Sequence, residues 1–207
     1  MQGPIHLAVL LSGTGRTLQN IIEKIEQVSL DARIEVVVSS RADAFGLDRA
    51  KGHGIPTAVV ERKRYGDAEE FSTKITAELD KYRVDLVIMA GFNCLYTIPE
   101  KYAGRVMNIH PALIPSFCGK GLWGKKVHEA VLNNGTKVSG CTVHFADNTY
   151  DNGPIILQRV ISVRDDDTPE SLAERVFEEE CAAYPEAIRL FQQGRLKIEG
   201  GKVSVLP

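Results

Sequence analysis

Cysteine is scarce and scattered in this 207-residue chain: Cys94, Cys118, Cys141 and Cys181 form no C-x-x-C pair. That spacing argues against a zinc site and offers no disulfide framework. Also missing is any apolar run long enough for a membrane span. The first residues, Met1-Gln2-Gly3-Pro4, are too polar and too short for a targeting segment. Neither sign of charge is in excess, since 25 Lys and Arg face 27 Asp and Glu for a net charge of −2. The balance carries no footprint of a nucleic-acid or anionic-membrane partner. Arg62-Lys63-Arg64 is the only tight basic cluster, and a solvated loop accounts for it before a contact to an anionic ligand does. With 43% hydrophobic and 25% charged residues, the chain has the make-up of a globular protein rather than a disordered one. A reducing cytoplasmic setting is expected. Repeats, linkers and low-complexity segments are absent, so one domain over 1–207 is expected.

What is present is an alternation. Ile5–Leu11 is a short apolar run stopped by Ser12-Gly13, as in a buried strand. Thr17–Val28 places Leu18, Ile21, Ile22 and Ile25 at helical spacing, and Arg33–Ser39 returns to β-branched residues. Asp43 is placed to N-cap a helix reaching Gly52 or Gly54, before a third strand at Thr57–Val60. Asp67–Tyr82 is amphipathic, and Val84–Ala90 and Arg105–His110 are further strands. Near-continuous apolar strands alternating with helices imply a parallel sheet covered on both faces. After residue 110 the rhythm changes: Pro111–Gly124 is a loop and Lys125–Leu132 a helix. Val138–Ala146 and Pro154–Val163 are extended runs around the turn Asp147–Gly153. Thr168-Pro169-Glu170 opens a long helix to Gln193 with a cap, a first-turn proline and an acidic residue. Gly200-Gly201 then suggests a terminal hairpin within Lys197–Val205. The expected fold class is α/β: an open, mostly parallel sheet with helices on both faces and a C-terminal antiparallel portion.

Ser12-Gly13-Thr14-Gly15-Arg16-Thr17 joins the first strand to the first helix. Glycines let the backbone turn sharply there, and the helix N-terminus adds free amides and a positive dipole end, which favours a phosphate. A dinucleotide fingerprint would need a third glycine where Leu18 stands and an acidic residue where Ser39-Ser40-Arg41 stands. NAD is disfavoured on that ground, while Arg41 keeps NADP open as an alternative; a tight turn without ligand is the bland reading.

Asn108 and His110 lie two residues apart at the end of a strand, on one face and roughly 6–7 Å apart. Pro111 keeps His110 extended and stops the strand. Ligands of open parallel sheets bind outside such carboxyl ends. An amide that donates to an oxyanion, beside an imidazole that shuttles protons, suits work on a carbonyl. Asp151, in the turn Asp151-Asn152-Gly153-Pro154, would favour the charged imidazole if the turn folds over the sheet edge. His6, His53 and His128 have no comparable setting and are read as structural, and His144 as a core or supporting residue.

Taken together, SGTGRTLQN (12–20), AGFNCLY (90–96), NIHPALIPSFCGKG (108–121), GCTVHFADNTYDNGPIILQ (140–158) and ECAAYPEAI (180–188) resemble the folate-dependent formyltransferases. SGTGRTLQN points to their glycinamide ribonucleotide branch. The resemblance spans nearly the whole chain and implies a Rossmann-like fold. Its phosphate-binding part would cover about 1–100, and its catalytic and folate-binding part about 90–190. It implies that Gly13, Gly15, Arg16 and Thr17 hold the ribonucleotide phosphate and that Glu180 meets the glycinamide end. Asn108 and His110 would be the catalytic pair, with Asp151 supporting the imidazole. Asn93, Cys94, Leu95 and Tyr96, with Asp147, Asn148, Thr149 and Tyr150, would line the pterin pocket. In one departure, Ala68 stands where members of the family carry an arginine for the folate tail, leaving Arg62, Lys63 or Arg64 to substitute. In another, the pterin segment Asn93–Tyr96 is less apolar at its start than in many relatives.

The activity implied is transfer of the formyl group of 10-formyltetrahydrofolate to the amine of 5′-phosphoribosylglycinamide, in purine biosynthesis. It needs no metal, nucleic acid or membrane, and the protein would be a monomer or weak homodimer. A methionyl-tRNA formyltransferase and a formyltetrahydrofolate hydrolase are the alternatives among enzymes, each expected to carry an added domain. A non-catalytic nucleotide-binding module is the alternative from another class.

Overall fold

A computed structural model describes residues 3–207, so Met1-Gln2 of the polar start lie outside the described residues. The chain divides into two compact units, Met1–Met107 and Asn108–Pro207. The first alternates strand and helix: β1 (Ile5–Leu11), α1 (Arg16–Glu26), β2 (Ala32–Ser39), α2 (Gly46–Gly52), β3 (Thr57–Val59), α3 (Ala68–Leu79) and β4 (Leu86–Met89). These strands lie in the order β3-β2-β1-β4, all pairs parallel. Leu7 through Leu11 are 0% exposed, on both faces of β1 alike. A strand flanked by two others and covered above and below has no solvent face, which is why it reads as an unbroken apolar run. Burial contributes about 1.5–3 kcal/mol for each large side chain of that run.

The carboxyl ends of these strands are laced together by serines. Ser12 N–H donates to Gly91 O at 3.0 Å, and Asn93 N–H donates to Ser12 Oγ at 3.0 Å. The hydroxyls of Ser12 and Ser40 lie 2.7 Å apart. The loop after β1 and the segment after β4 thus leave the sheet side by side.

One expectation fails here. Asp43 caps no helix: Arg41 grips its carboxylate with Nε at 2.9 Å and Nη2 at 2.6 Å. Helix α2 starts only at Gly46, whose N–H donates to Gly13 O at 3.1 Å. The same grip leaves Arg41 closed on Asp43 rather than open to a 2′-phosphate.

The second unit contains β5 (Val106–His110, beginning just before the boundary), α4 (Lys125–Asn133), β6 (Val138–Phe145), β7 (Ile155–Ser162), α5 (Pro169–Gln192), β8 (Leu196–Glu199) and β9 (Lys202–Val205). The order is β5-β6-β7, with β6 and β7 antiparallel, and β8–β9 form the expected hairpin. Thr168 caps α5 reciprocally with Ser171, and Pro169 opens its first turn. The main sheet is therefore mostly parallel with an antiparallel C-terminal portion, as expected from the pattern. Among the described residues no helix is long and apolar enough to cross a membrane.

Candidate active site

Strand β5 ends at His110 because Pro111 has no N–H to continue a ladder. His110 is only 3% exposed. Its Nε2 lies 2.9 Å from Phe117 O, and because a carbonyl only accepts, Nε2 carries a proton. Its Nδ1 faces Asp151 Oδ1 at 3.5 Å, an ion-pair distance rather than a hydrogen bond. Asn108 Nδ2 donates to the same Oδ1 at 3.3 Å, and Gly119 N–H donates to Asp151 Oδ2 at 2.9 Å. Asn108, His110 and Asp151 therefore meet within the second unit.

His144 completes the cluster. Its Nδ1 donates to Phe145 O at 2.9 Å, so its Nε2 presents a lone pair, which accepts from Asn108 Nδ2 at 3.1 Å. Burial holds the His144 pKa below the usual imidazole value, which suits this neutral tautomer. Both hydrogens of the Asn108 amide are thus engaged, one by His144 and one by Asp151.

Backbone conformation brings these groups in. Asp151 and Phe117 both have positive φ, 47° and 52°, a region that non-glycine residues seldom occupy. In the turn carrying Asp151, Thr149 N–H and Asn152 Nδ2 donate to the two oxygens of Asp147 at 2.8 and 2.6 Å. Gly153, at φ 104°, closes the turn where a Cβ would strike Phe145 O. The loop after β5 is clasped by Thr142, whose hydroxyl donates to Ala112 O at 2.7 Å and accepts from Ile114 N–H at 3.1 Å. Gln158 donates to Ile114 O at 3.0 Å and to that hydroxyl at 2.9 Å.

The other expected residues sit as follows. Gly13, Gly15, Arg16 and Thr17 form the turn into α1, with Gly15 at φ 73°. Asn93 is exposed, and Cys94 and Leu95 are half-buried. Tyr96 is buried, its hydroxyl 2.9 Å from Thr76 Oγ1. Asp147 and Tyr150 are half-buried, and Asn148 and Thr149 exposed. Glu180 lies on the buried side of α5; burial, and then the Glu180 charge, push the Cys141 thiol up to about 12. Of the basic cluster, Lys63 and Arg64 pair with Glu61, whereas Arg62 donates to Tyr65 O at 2.6 Å and lies over Phe71. Among the described residues no group of three or more His, Cys, Asp or Glu is placed to hold a metal ion.

Phe117 and Gly119 act through main-chain atoms, so no side-chain pattern marks them. His144 and Thr142 have a weak signal: alternation along β6 puts both on one face. His128, read as structural, is buried with Nδ1 unpartnered, and burial together with the nearby His110 lowers its pKa from 6.5 to about 4. Between those values the unfolded chain binds a proton that the folded chain does not, so stability falls as pH drops from 6.5 to about 4. The full effect is on the order of 3 kcal/mol. A His128→Gln variant should show a smaller fall in urea midpoint from pH 7 to pH 4.5 than wild type. Parallel curves would refute this.

A model described as formyl transferase matches residues 5–188. The chain is 36% identical to the phosphoribosylglycinamide formyltransferase of Escherichia coli (strain K12), over 94% of this chain and 90% of that one. It is 40% identical to the trifunctional purine biosynthetic protein adenosine-3 of Gallus gallus over 96% of its own length, yet spans only 20% of that relative. The crystal structure of glycinamide ribonucleotide transformylase 1 from Symbiobacterium toebii is similar at 41% identity and a TM-score of 0.91, covering 99% of this chain and 95% of that one.

Proposed function

The chain belongs to the formyl transferase family, and from that premise we propose that it transfers the formyl group of 10-formyltetrahydrofolate to the amine of 5′-phosphoribosylglycinamide. The products are the N-formyl ribonucleotide and tetrahydrofolate, a step of purine biosynthesis. The carrying observation is the meeting of Asn108, His110 and Asp151 around one carboxylate oxygen.

The neutral amine attacks the formyl carbon, forming a C–N bond and a tetrahedral oxyanion. The Nε2–H of His110, which here bonds Phe117 O at 2.9 Å, turns to that oxygen when the substrate replaces the carbonyl. The Asn108 hydrogen on the longer, 3.3 Å bond to Asp151 is the one that swings to the oxyanion, while His144 keeps the other. Asp151 balances the imidazolium charge. The bond from formyl carbon to carrier nitrogen then breaks, and the amine proton ends on that nitrogen.

Gly13, Gly15, Arg16 and Thr17 take the phosphate and Glu180 the glycinamide end. Asn93–Tyr96 and Asp147–Tyr150 bind the folate. The fold acts as one formyltransferase domain over 1–207, in the cytoplasm, as a monomer or weak homodimer, without nucleic-acid, membrane or metal partners. Incubation with both substrates should yield the formylated ribonucleotide and tetrahydrofolate in equal amounts. Binding of either substrate without turnover would favour a ligand-binding module instead.

A further inference from the structure

Three consecutive carbonyls of the loop after β1 are held by hydrogen bonds. Gly13 O accepts from Gly46 N–H at 3.1 Å, Thr14 O from Arg49 Nε at 2.9 Å, and Gly15 O from Gln19 N–H at 2.9 Å. Two of these donors belong to α2. A peptide unit is planar and trans, so a carbonyl turned toward α2 sends the N–H of the same unit the opposite way. The grip on Thr14 O therefore aims the Gly15 N–H outward, and the grip on Gly13 O does the same for Thr14 N–H.

Arg49 is the only side chain among these donors, and it is itself held in place. Its Nη1 donates to Gln19 Oε1 at 3.3 Å, and its guanidinium lies 5.0 Å from the centre of the Phe45 ring. Among the described residues no carboxylate pairs with it. Its charge is left beside the loop, where it polarises the Thr14 peptide and adds to the positive end of the α1 dipole. The loop cannot drift off this support, because a Cβ at Gly15 would come within 2.6 Å of Gly46 Cα, so the two backbones are packed directly together.

Resting on the reading of Gly13–Thr17 as the phosphate cradle, we infer that Arg49 is a positioning residue that sets the enzyme's preference for a phosphorylated substrate. It orients the loop amides and supplies charge from behind the loop, through Thr14.

The test compares KM and kcat for glycinamide ribonucleotide and its dephosphorylated riboside in wild type, Arg49→Gln and Arg49→Lys. Wild type should prefer the ribonucleotide. Arg49→Gln should raise the ribonucleotide KM about tenfold or more, with a smaller fall in kcat and no change in the riboside KM. Arg49→Lys, which keeps the charge but loses the planar fork, should restore part of the preference. An unaltered preference in Arg49→Gln, or an equal rise in both KM values, overturns the inference while leaving the phosphate reading standing. Equal use of both substrates by wild type removes the phosphate reading and the inference with it. Should Arg49→Gln not fold, inhibition by inorganic phosphate decides with Arg49→Lys alone. A several-fold weaker inhibition than in wild type is expected, and an unchanged one overturns the inference.

Discussion

His110→Ala should lower the single-turnover rate of formyl transfer by about 10³-fold or more. Proton transfer by a positioned side chain is typically worth about 10²–10⁴-fold, and one oxyanion donor about 10²–10³-fold. Here the imidazole is assigned the oxyanion hydrogen bond and lies beside the path of the amine proton, so the loss falls where the two ranges overlap rather than at their product. No other imidazole can take over. His144 is buried, has its proton committed to Phe145 O, and offers only a lone pair, already used by Asn108. His128 is held neutral by burial down to about pH 4. His6 and His53 face Glu35 and Glu26 in the other unit.

The same substitution removes a buried hydrogen bond and leaves Phe117 O without its donor, a loss of about 1–3 kcal/mol. Urea midpoints therefore belong beside the rates, so that a folding defect is not mistaken for a chemical one. A folded variant working within tenfold of wild type would remove His110 from the catalytic set.

The two units differ in how much of them the sequence discloses. Strands β1 and β4 are almost wholly apolar, β2 becomes so from Val36, and helices α1 and α3 carry apolar residues at helical steps, so periodicity alone outlines them. The ends of α5 were equally open to reading, since Thr168 and Pro169 are chemically suited to a first turn. Asp43 misled because a cap and an ion pair use the same carboxylate, and only the position of Arg41 decides between them. At the site, spacing put Asn108 and His110 on one face, because residues two apart on a strand share a side. It could not place Asp151, whose approach depends on a left-handed turn tied by Asp147 and closed by Gly153. Nor could it show that Asn108 has both hydrogens engaged, or that His110 donates to a carbonyl seven residues on. The first depends on side chains 36 and 43 residues away, and the second on a main-chain carbonyl, which every residue type carries alike.

Asp151→Asn is the second change expected to cost orders of magnitude, about 10²–10³-fold in kcat. Asparagine is the informative replacement because Asp151 sits at φ 47°, a conformation that asparagine tolerates better than alanine. The backbone can stay, and what changes is the charge and the count of acceptors. The carboxylate faces three donors: Asn108 Nδ2 and His110 Nδ1 on one oxygen, Gly119 N–H on the other. An amide has one oxygen. Turned toward Gly119, it sets its NH₂ against the donors of Asn108 and His110; turned the other way, it sets that NH₂ against the Gly119 N–H. Either orientation leaves a donor facing a donor and removes the negative charge opposite the imidazole. Amide exchange near Gly119 should also rise, since its bond to the carboxylate is one of the ties on the loop 111–124. Asp151→Glu, with the charge kept but the carboxylate moved about one methylene outward, should recover little of the rate. If instead Asp151→Asn retains a third of wild-type turnover, the carboxylate serves the turn rather than the reaction.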